Sequence, residues 1–170
     1  AFNIVAATDV TCFGSDNGTI TVNAVDTGNG PYDFEIISGP GSTASFPVSP
    51  TSNTTASATF TGLEGAIGSG ITYTIRMTAQ GTGCTTTQTQ AIIQPSQLMV
   101  SAAVTPFACS AGNTADLATI TVTASNGTAP YLYSIDNVNF QTSNTFNIVD
   151  TGAVQNITVY VTDANNCPQT

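Results

Sequence analysis

The tetrapeptide Thr19-Ile20-Thr21-Val22 returns as Thr119-Ile120-Thr121-Val122, 100 positions further along the 170-residue chain. Internal repetition of this kind constrains the fold strongly, because each copy has to be a structural unit in its own right. The surroundings repeat in the same order. Cys12 precedes the first copy and Cys109 the second. After a Gly-bearing turn, Pro31-Tyr32-Asp33-Phe34-Glu35-Ile36 answers to Pro130-Tyr131-Leu132-Tyr133-Ser134-Ile135. Thr74-Ile75-Arg76-Met77-Thr78 answers to Thr158-Val159-Tyr160-Val161-Thr162, and a second cysteine follows each, Cys84 and Cys167.

Every matched segment alternates apolar and polar residues with period two, the pattern of a strand with one buried face. Ile20, Val22 and Ala24 share a face, as do Tyr32, Phe34 and Ile36, and Tyr73, Ile75 and Met77. In the second copy the inward rows are Ile120, Val122 and Ala124, then Tyr131, Tyr133 and Ile135, then Ile157, Val159 and Val161. Outward positions are largely Thr, whose branched Cβ suits the pleat. Helix signals are absent, and Gly, Asn, Asp and Pro punctuate the strands. The expectation is an all-β chain of two tandem immunoglobulin-like antiparallel β-sandwich repeats, 1–95 and 96–170, each with one disulfide. The boundary falls near Gln94-Pro95-Ser96, and Leu98, Val100 and Ala102 begin the second repeat.

Composition limits function. Ten acidic residues face a single cation, Arg76, with no Lys, His or Trp, for a formal charge of −9. Phosphate-backbone binding needs several cations, so a nucleic-acid partner is excluded, as is attraction to an anionic membrane surface. No apolar run approaches the roughly 20 residues of a membrane span. Without His or Lys the commonest general base and the Schiff-base nucleophile are missing. No catalysis and no cofactor are expected.

Four cysteines in this composition point to a secreted protein, and sequence alone allows three pairings. Repeat symmetry selects Cys12 with Cys84 and Cys109 with Cys167, each loop stabilising its unit by roughly 4 kcal/mol in the chain-entropy model. No zinc spacing is present. The chain opens on Ala with no basic n-region, as a mature product or an excised piece would.

Several residues are candidate sites. Asp16-Asn17-Gly18 and the turn from Asp163 to Asn166 are oxygen-rich, which makes Asp16 and Asp163 weak calcium candidates beside the plainer reading as turn formers. Asp33 and Glu35 share one exposed strand face, and Arg76 is expected on a neighbouring strand beside one of them. The insertion 37–59 separates the repeats most: 23 residues lie between Ile36 and Phe60, against ten between Ile135 and Phe146. It is a candidate binding loop for surface glycans through Phe46 and Val48. After Cys167 only Pro168, Gln169 and Thr170 follow, so the second repeat is expected to lack a closing strand. Either the piece comes from a longer array or another chain supplies the strand, with Phe2, Ile4, Val5 and Ala6 as candidate donors in a self-polymerising filament.

These motifs resemble a known family. Cys, Gly, Asp-Asn-Gly, Thr-Ile-Thr-Val, Pro-Tyr-x-Tyr/Phe-x-Ile, Phe-Gln-x-Ser-x-x-Phe and Val-x-Asp-Ala-x-x-Cys are similar to the SprB-type repeats of very large Bacteroidetes surface adhesins. Cys12 to Val22, Pro130 to Phe146 and Val159 to Cys167 carry the likeness. The resemblance implies an immunoglobulin-like repeat in a long extracellular filament at the cell surface, exported by type IX secretion and serving cell adhesion or gliding motility. Its partners would be neighbouring repeats or identical subunits in a fibre. The family brings no catalytic residue to this chain.

Overall fold

The computed structural model describes residues 1–25, 28–39, 56–112 and 114–170. Among these there are twelve strands and no helix. The chain divides into two compact units, Ala1–Pro95 and Ser96–Thr170.

Unit 1 contains β1 (Phe2–Thr8), β2 (Gly18–Ala24), β3 (Tyr32–Ser38), β4 (Ser57–Leu63), β5 (Ile71–Ala79) and β6 (Cys84–Ile92). All pairings are antiparallel, in the orders β1-β2-β4 and β3-β5-β6. Lettered A, B, C, E, F and G along the chain, the sheets are A-B-E and C-F-G, the immunoglobulin arrangement. The two-residue period builds the core. Ile20 and Val22 from one sheet meet Tyr32, Phe34, Ile36, Tyr73, Ile75 and Met77 from the other, all buried in one cluster. Phe2 and Phe34 pack edge to face across the sheets, with ring centroids 5.7 Å apart, a geometry favoured by the ring quadrupoles. Tyr73, at the start of β5, donates its hydroxyl to the Glu64 carbonyl at 3.0 Å, the tyrosine corner of such sandwiches.

Unit 1 has two distinct ends. The β1–β2 connection, 9–17, lies at the lower end. The β2–β3 connection and the β5–β6 turn lie at the upper end, because Tyr32 pairs with Ala79 and Ala79 with Cys84. The segment leaving β6 closes the lower end. Ile92 is 0% exposed, the Ile93 carbonyl accepts from Val10 N at 2.9 Å, and Gln94 N donates to Ala66 O at 3.1 Å.

Unit 2 contains β7 (Met99–Thr105), β8 (Ala118–Ser125), β9 (Leu132–Ser134), β10 (Thr145–Ile148), β11 (Tyr160–Thr162) and β12 (Pro168–Gln169). Its sheets are β7-β8-β10 and β9-β11-β12, so each strand of unit 1 has its counterpart six strands later. Both units also carry a cis X-Pro bond ahead of the third strand, at Pro31 and Pro130. The core of unit 2 is smaller, with Leu98, Ile120, Val122, Tyr133 and Val161 buried and Phe146, Ile157 and Val159 packed half-buried against them.

Two sequence expectations need correction here. The inward row Tyr131, Tyr133, Ile135 breaks after Tyr133, since Ser134 is fully buried and Ile135 only half-buried. The Ser134 hydroxyl accepts from the backbone N–H groups of Asp136 and Asn137 and donates to the Asp136 carboxylate. That side-chain turn ends the strand early. The closing strand of unit 2 is present as a stub, with β12 pairing Pro168 to Thr162 and Gln169 to Val161.

Candidate functional site

The paired carboxylates of β3 are each engaged locally. Glu35 stands opposite Arg76 in the ladder and accepts from its Nε at 2.6 Å and its Nη2 at 2.5 Å, both on Oε1, as cross-strand charge pairing requires. Asp33 stands opposite Thr78 and accepts a hydrogen bond from the side-chain amide of Gln80. The pair therefore forms a surface ion contact and a turn contact on an open strand face.

The oxygen-rich turns differ from each other. Around Asp16 it is Asn17 that organises the turn, its Oδ1 accepting from Thr11 N at 3.1 Å and its amide donating to the Thr11 hydroxyl at 2.6 Å. Asp163 is 4% exposed. Its Oδ1 accepts from Asn165 N and Cys167 N, and its Oδ2 from Thr128 N, each at 2.9 Å. A carboxylate ringed by N–H donors presents their positive ends to any cation, so this geometry belongs to turn building. Among the described residues no group of three or more Cys, Asp or Glu side chains converges as metal ligands would.

Asp136, which the sequence reading did not single out, is an exposed carboxylate with several hydrogen bonds. It accepts from Val138 N, Asn139 N, the Asn139 side-chain amide and the Ser134 hydroxyl. The Asn139 side chain first, then the backbone donors and Ser134, hold its carboxyl well below the usual carboxylate range. The signal was available in Ser134-Ile135-Asp136-Asn137, a serine and an aspartate two apart before an Asn in the left-handed region, φ 59°. On the other side of neutrality, burial and then the nearby Glu64 charge push the Tyr73 phenol up.

The cysteines do not follow repeat symmetry. Cys84 and Cys109 are exposed free thiols, whereas Cys12 and Cys167 are disulfide-bonded. Both within-repeat bridges are thus overturned, and strand register gives the reason. Cys12 lies in the lower connection of unit 1, while Cys84 opens β6 at the upper end. The nine residues of β6 separate those ends by about 27 Å at ~3.4 Å per residue, and a disulfide tolerates Cα atoms only about 4.4–6.8 Å apart. In unit 2, Cys109 likewise lies in the β7–β8 connection and Cys167 beside Thr128 and Thr162, at the other end of β8.

The opening strand is not a free donor. Phe2 is 1% exposed in the core of unit 1, and β1 pairs along β2 from Phe2 opposite Ala24 to Thr8 opposite Thr19, with a bulge between Ile4 and Ala6 that turns Val5 outward. Donating it to another chain would first dismantle the unit. Phe46 and Val48 of the candidate binding loop lie outside the described residues.

A concavity lies wholly in unit 2. It is an open groove of about 810 Å³, between the lower parts of β7, β8 and β10 and the segment 150–158, lined chiefly by Val104, Phe107, Ile120, Ile148, Val154 and Ile157. Asp150, Gln155, Asn156 and Thr158 supply its polar lining.

Six-stranded antiparallel sandwiches of one topology in tandem make this a modular β-repeat protein. Residues 4–41 and 101–140 each match the family model of the SprB repeat. The two matches fall on corresponding elements, from β1 to the end of β3 and from β7 to the turn after β9. The SprB repeat implies a structural repeat of an extracellular surface protein. No curated protein and no solved structure matches the chain.

Proposed function

We propose that this chain is a load-bearing segment of an extracellular bacterial adhesin or filament, in which tandem sandwiches hold a binding end away from the cell surface without catalysis. The observation that carries the reading is the recurrence of one strand order in both units, each with an SprB repeat match over its first half. A sandwich with antiparallel ladders bears pulling along the chain through its hydrogen bonds and core. The side-chain inventory, with no His or Lys and one Arg, supports a role outside catalysis. On this reading the partners are neighbouring repeats or identical subunits of a fibre, and service in gliding and export by type IX secretion follow from the family likeness.

Immunogold labelling of intact producing cells with an antibody to this chain tests the proposal. Label on surface fibres of unpermeabilised cells is expected. Label that appears only after permeabilisation would overturn it.

A further inference from the structure

Strand register puts the cysteines of the two units at equivalent places. Thr8 faces Thr19 across β1 and β2, and Thr105 faces Thr119 across β7 and β8. Cys12 comes four residues after Thr8, and Cys109 four after Thr105. In the second sheets, Phe34 faces Met77 and Met77 faces Thr86, while Tyr133 faces Val161 and Val161 faces Gln169. Cys84 stands two residues before Thr86, and Cys167 two before Gln169. Each unit therefore carries one cysteine in its lower connection and one at its upper end, where the last strand opens.

Their oxidation states are complementary. In unit 1 the lower cysteine, Cys12, is bonded and the upper one, Cys84, is a thiol. In unit 2 the upper cysteine, Cys167, is bonded and the lower one, Cys109, is a thiol. The bonded two are thus one lower and one upper cysteine, and so are the two thiols. Both thiols are exposed, whereas Cys12 is half-buried and Cys167 buried. Within one sandwich the two places lie a strand length apart, too far for a bridge, so a partner for either thiol has to come from another sandwich.

We propose that Cys109 and Cys84 join copies of this chain covalently, the lower cysteine of one copy to the upper cysteine of the next, repeating the lower-to-upper pairing of Cys12 with Cys167. The partner is a second copy because every copy carries the complement of each of its own thiols. A link of this kind runs head to tail and does not close, so it builds a chain of copies. Two thiols forming one S–S bond give up two protons and two electrons, and a small-molecule disulfide takes them. One cysteine thiolate displaces half of the small disulfide, the other thiolate then displaces the second half from the mixed disulfide, and two small thiols leave. An oxidising exterior preserves the product. The link deepens the fibre reading above, on which it rests for its identical-subunit partner. The two fail separately, since immunogold labelling reads where the chain is and a non-reducing gel reads which sulfurs join.

The test uses the full chain, isolated as a monomer with Cys12 and Cys167 bonded, in a buffer of oxidised and reduced glutathione. The parent should give a ladder of oligomers on non-reducing gels, which dithiothreitol collapses to monomer. Cys84→Ser and Cys109→Ser should each stay monomeric alone, and an equimolar mixture of the two should stop at a dimer. With one variant isotope-labelled, intact-mass spectrometry should find the mixed dimer far above the half share that random pairing gives. Peptide mapping should place its bond between Cys84 and Cys109. Monomers carrying only glutathione caps, or dimers of either variant alone in equal yield, would overturn the proposal. So would a parent that oxidises to a monomer without thiols, or a linking bond at Cys12 or Cys167.

Discussion

Arg76 on β5 and Glu35 on β3 stand directly opposite each other, and two guanidinium nitrogens, Nε and Nη2, converge on the same carboxylate oxygen. The contact uses the only basic side chain in the sequence, yet the side chains remain 41% and 20% exposed. An exposed pair is worth at most about 1 kcal/mol. Arg76→Ala should therefore lower the melting temperature of unit 1 by no more than about 8 °C. The difference should shrink between 0.05 and about 0.5 M salt as screening weakens the pair. A loss above about 2 kcal/mol in thermal or urea melts would show that Arg76 does more than this.

That pair was legible in the sequence because it needed only the period of two and one neighbouring strand. The same holds for the core rows of unit 1, where Ile20, Val22, Phe34, Ile36 and Ile75 are all buried. What sequence periodicity could not supply was distance along the strands. Repeat symmetry matches Cys12 with Cys84 as partners, but the register from Tyr32 through Ala79 to Cys84 puts them at opposite ends. Nor could alternation foresee Ser134, whose hydroxyl trades the ladder for a turn and so shortens β9.

The thiol inventory gives a direct check on the cysteine assignment. Native protein without reductant should release two equivalents in a thiol-exchange assay, from exposed Cys84 and Cys109. Cys84→Ser and Cys109→Ser should each remove one equivalent with little change in melting temperature. Four equivalents or none would refute the assignment.

Asp163→Ala should destabilise unit 2 by about 2–4 kcal/mol. Three backbone N–H groups lose their acceptor at once, and each buried donor left unpaired costs about 1–3 kcal/mol before water relieves part of it. Asp163→Asn should recover some of the loss, because one carbonyl oxygen can still accept while the amide nitrogen faces a donor. Urea midpoints of the two variants check the order. An alanine variant as stable as the parent would mean that the turn reforms without the carboxylate.

Acid should unfold unit 2 partly through Asp136. Its carboxyl is held low in the folded state by Asn139, Val138 and Ser134, while the unfolded chain returns it to about 3.9. A depressed folded value means that the stabilisation is complete above the unfolded value and is lost as pH falls below it towards the folded one. Stability followed by urea titration from pH 6 down to pH 2 should fall more steeply below about pH 4 in the parent than in Asp136→Asn. Equal slopes would remove Asp136 from the acid transition.

Gly18 and Ile92 fit closely in the core of unit 1. A Cβ at Gly18 would sit 2.7 Å from Ile92 Cγ2 and 2.8 Å from the Leu63 carbonyl, the second being backbone that cannot swing aside. Gly18→Ala should therefore cost about 1–3 kcal/mol as an overpacked core site. Ile92→Ala alone should cost about 2–5 kcal/mol as a cavity. Together the substitutions should cost less than the sum of the two, because the new methyl occupies part of the space that Ile92 vacates. The residual cost should stay above zero, since the Leu63 carbonyl still crowds the methyl. At Ala118, where unit 2 already carries the methyl, reversion to Gly should cost only the roughly 0.5–1 kcal/mol of backbone entropy in a strand. Urea unfolding of the three unit 1 variants and of Ala118→Gly measures all four numbers, and strict additivity between Gly18 and Ile92 would show that they do not share one slot.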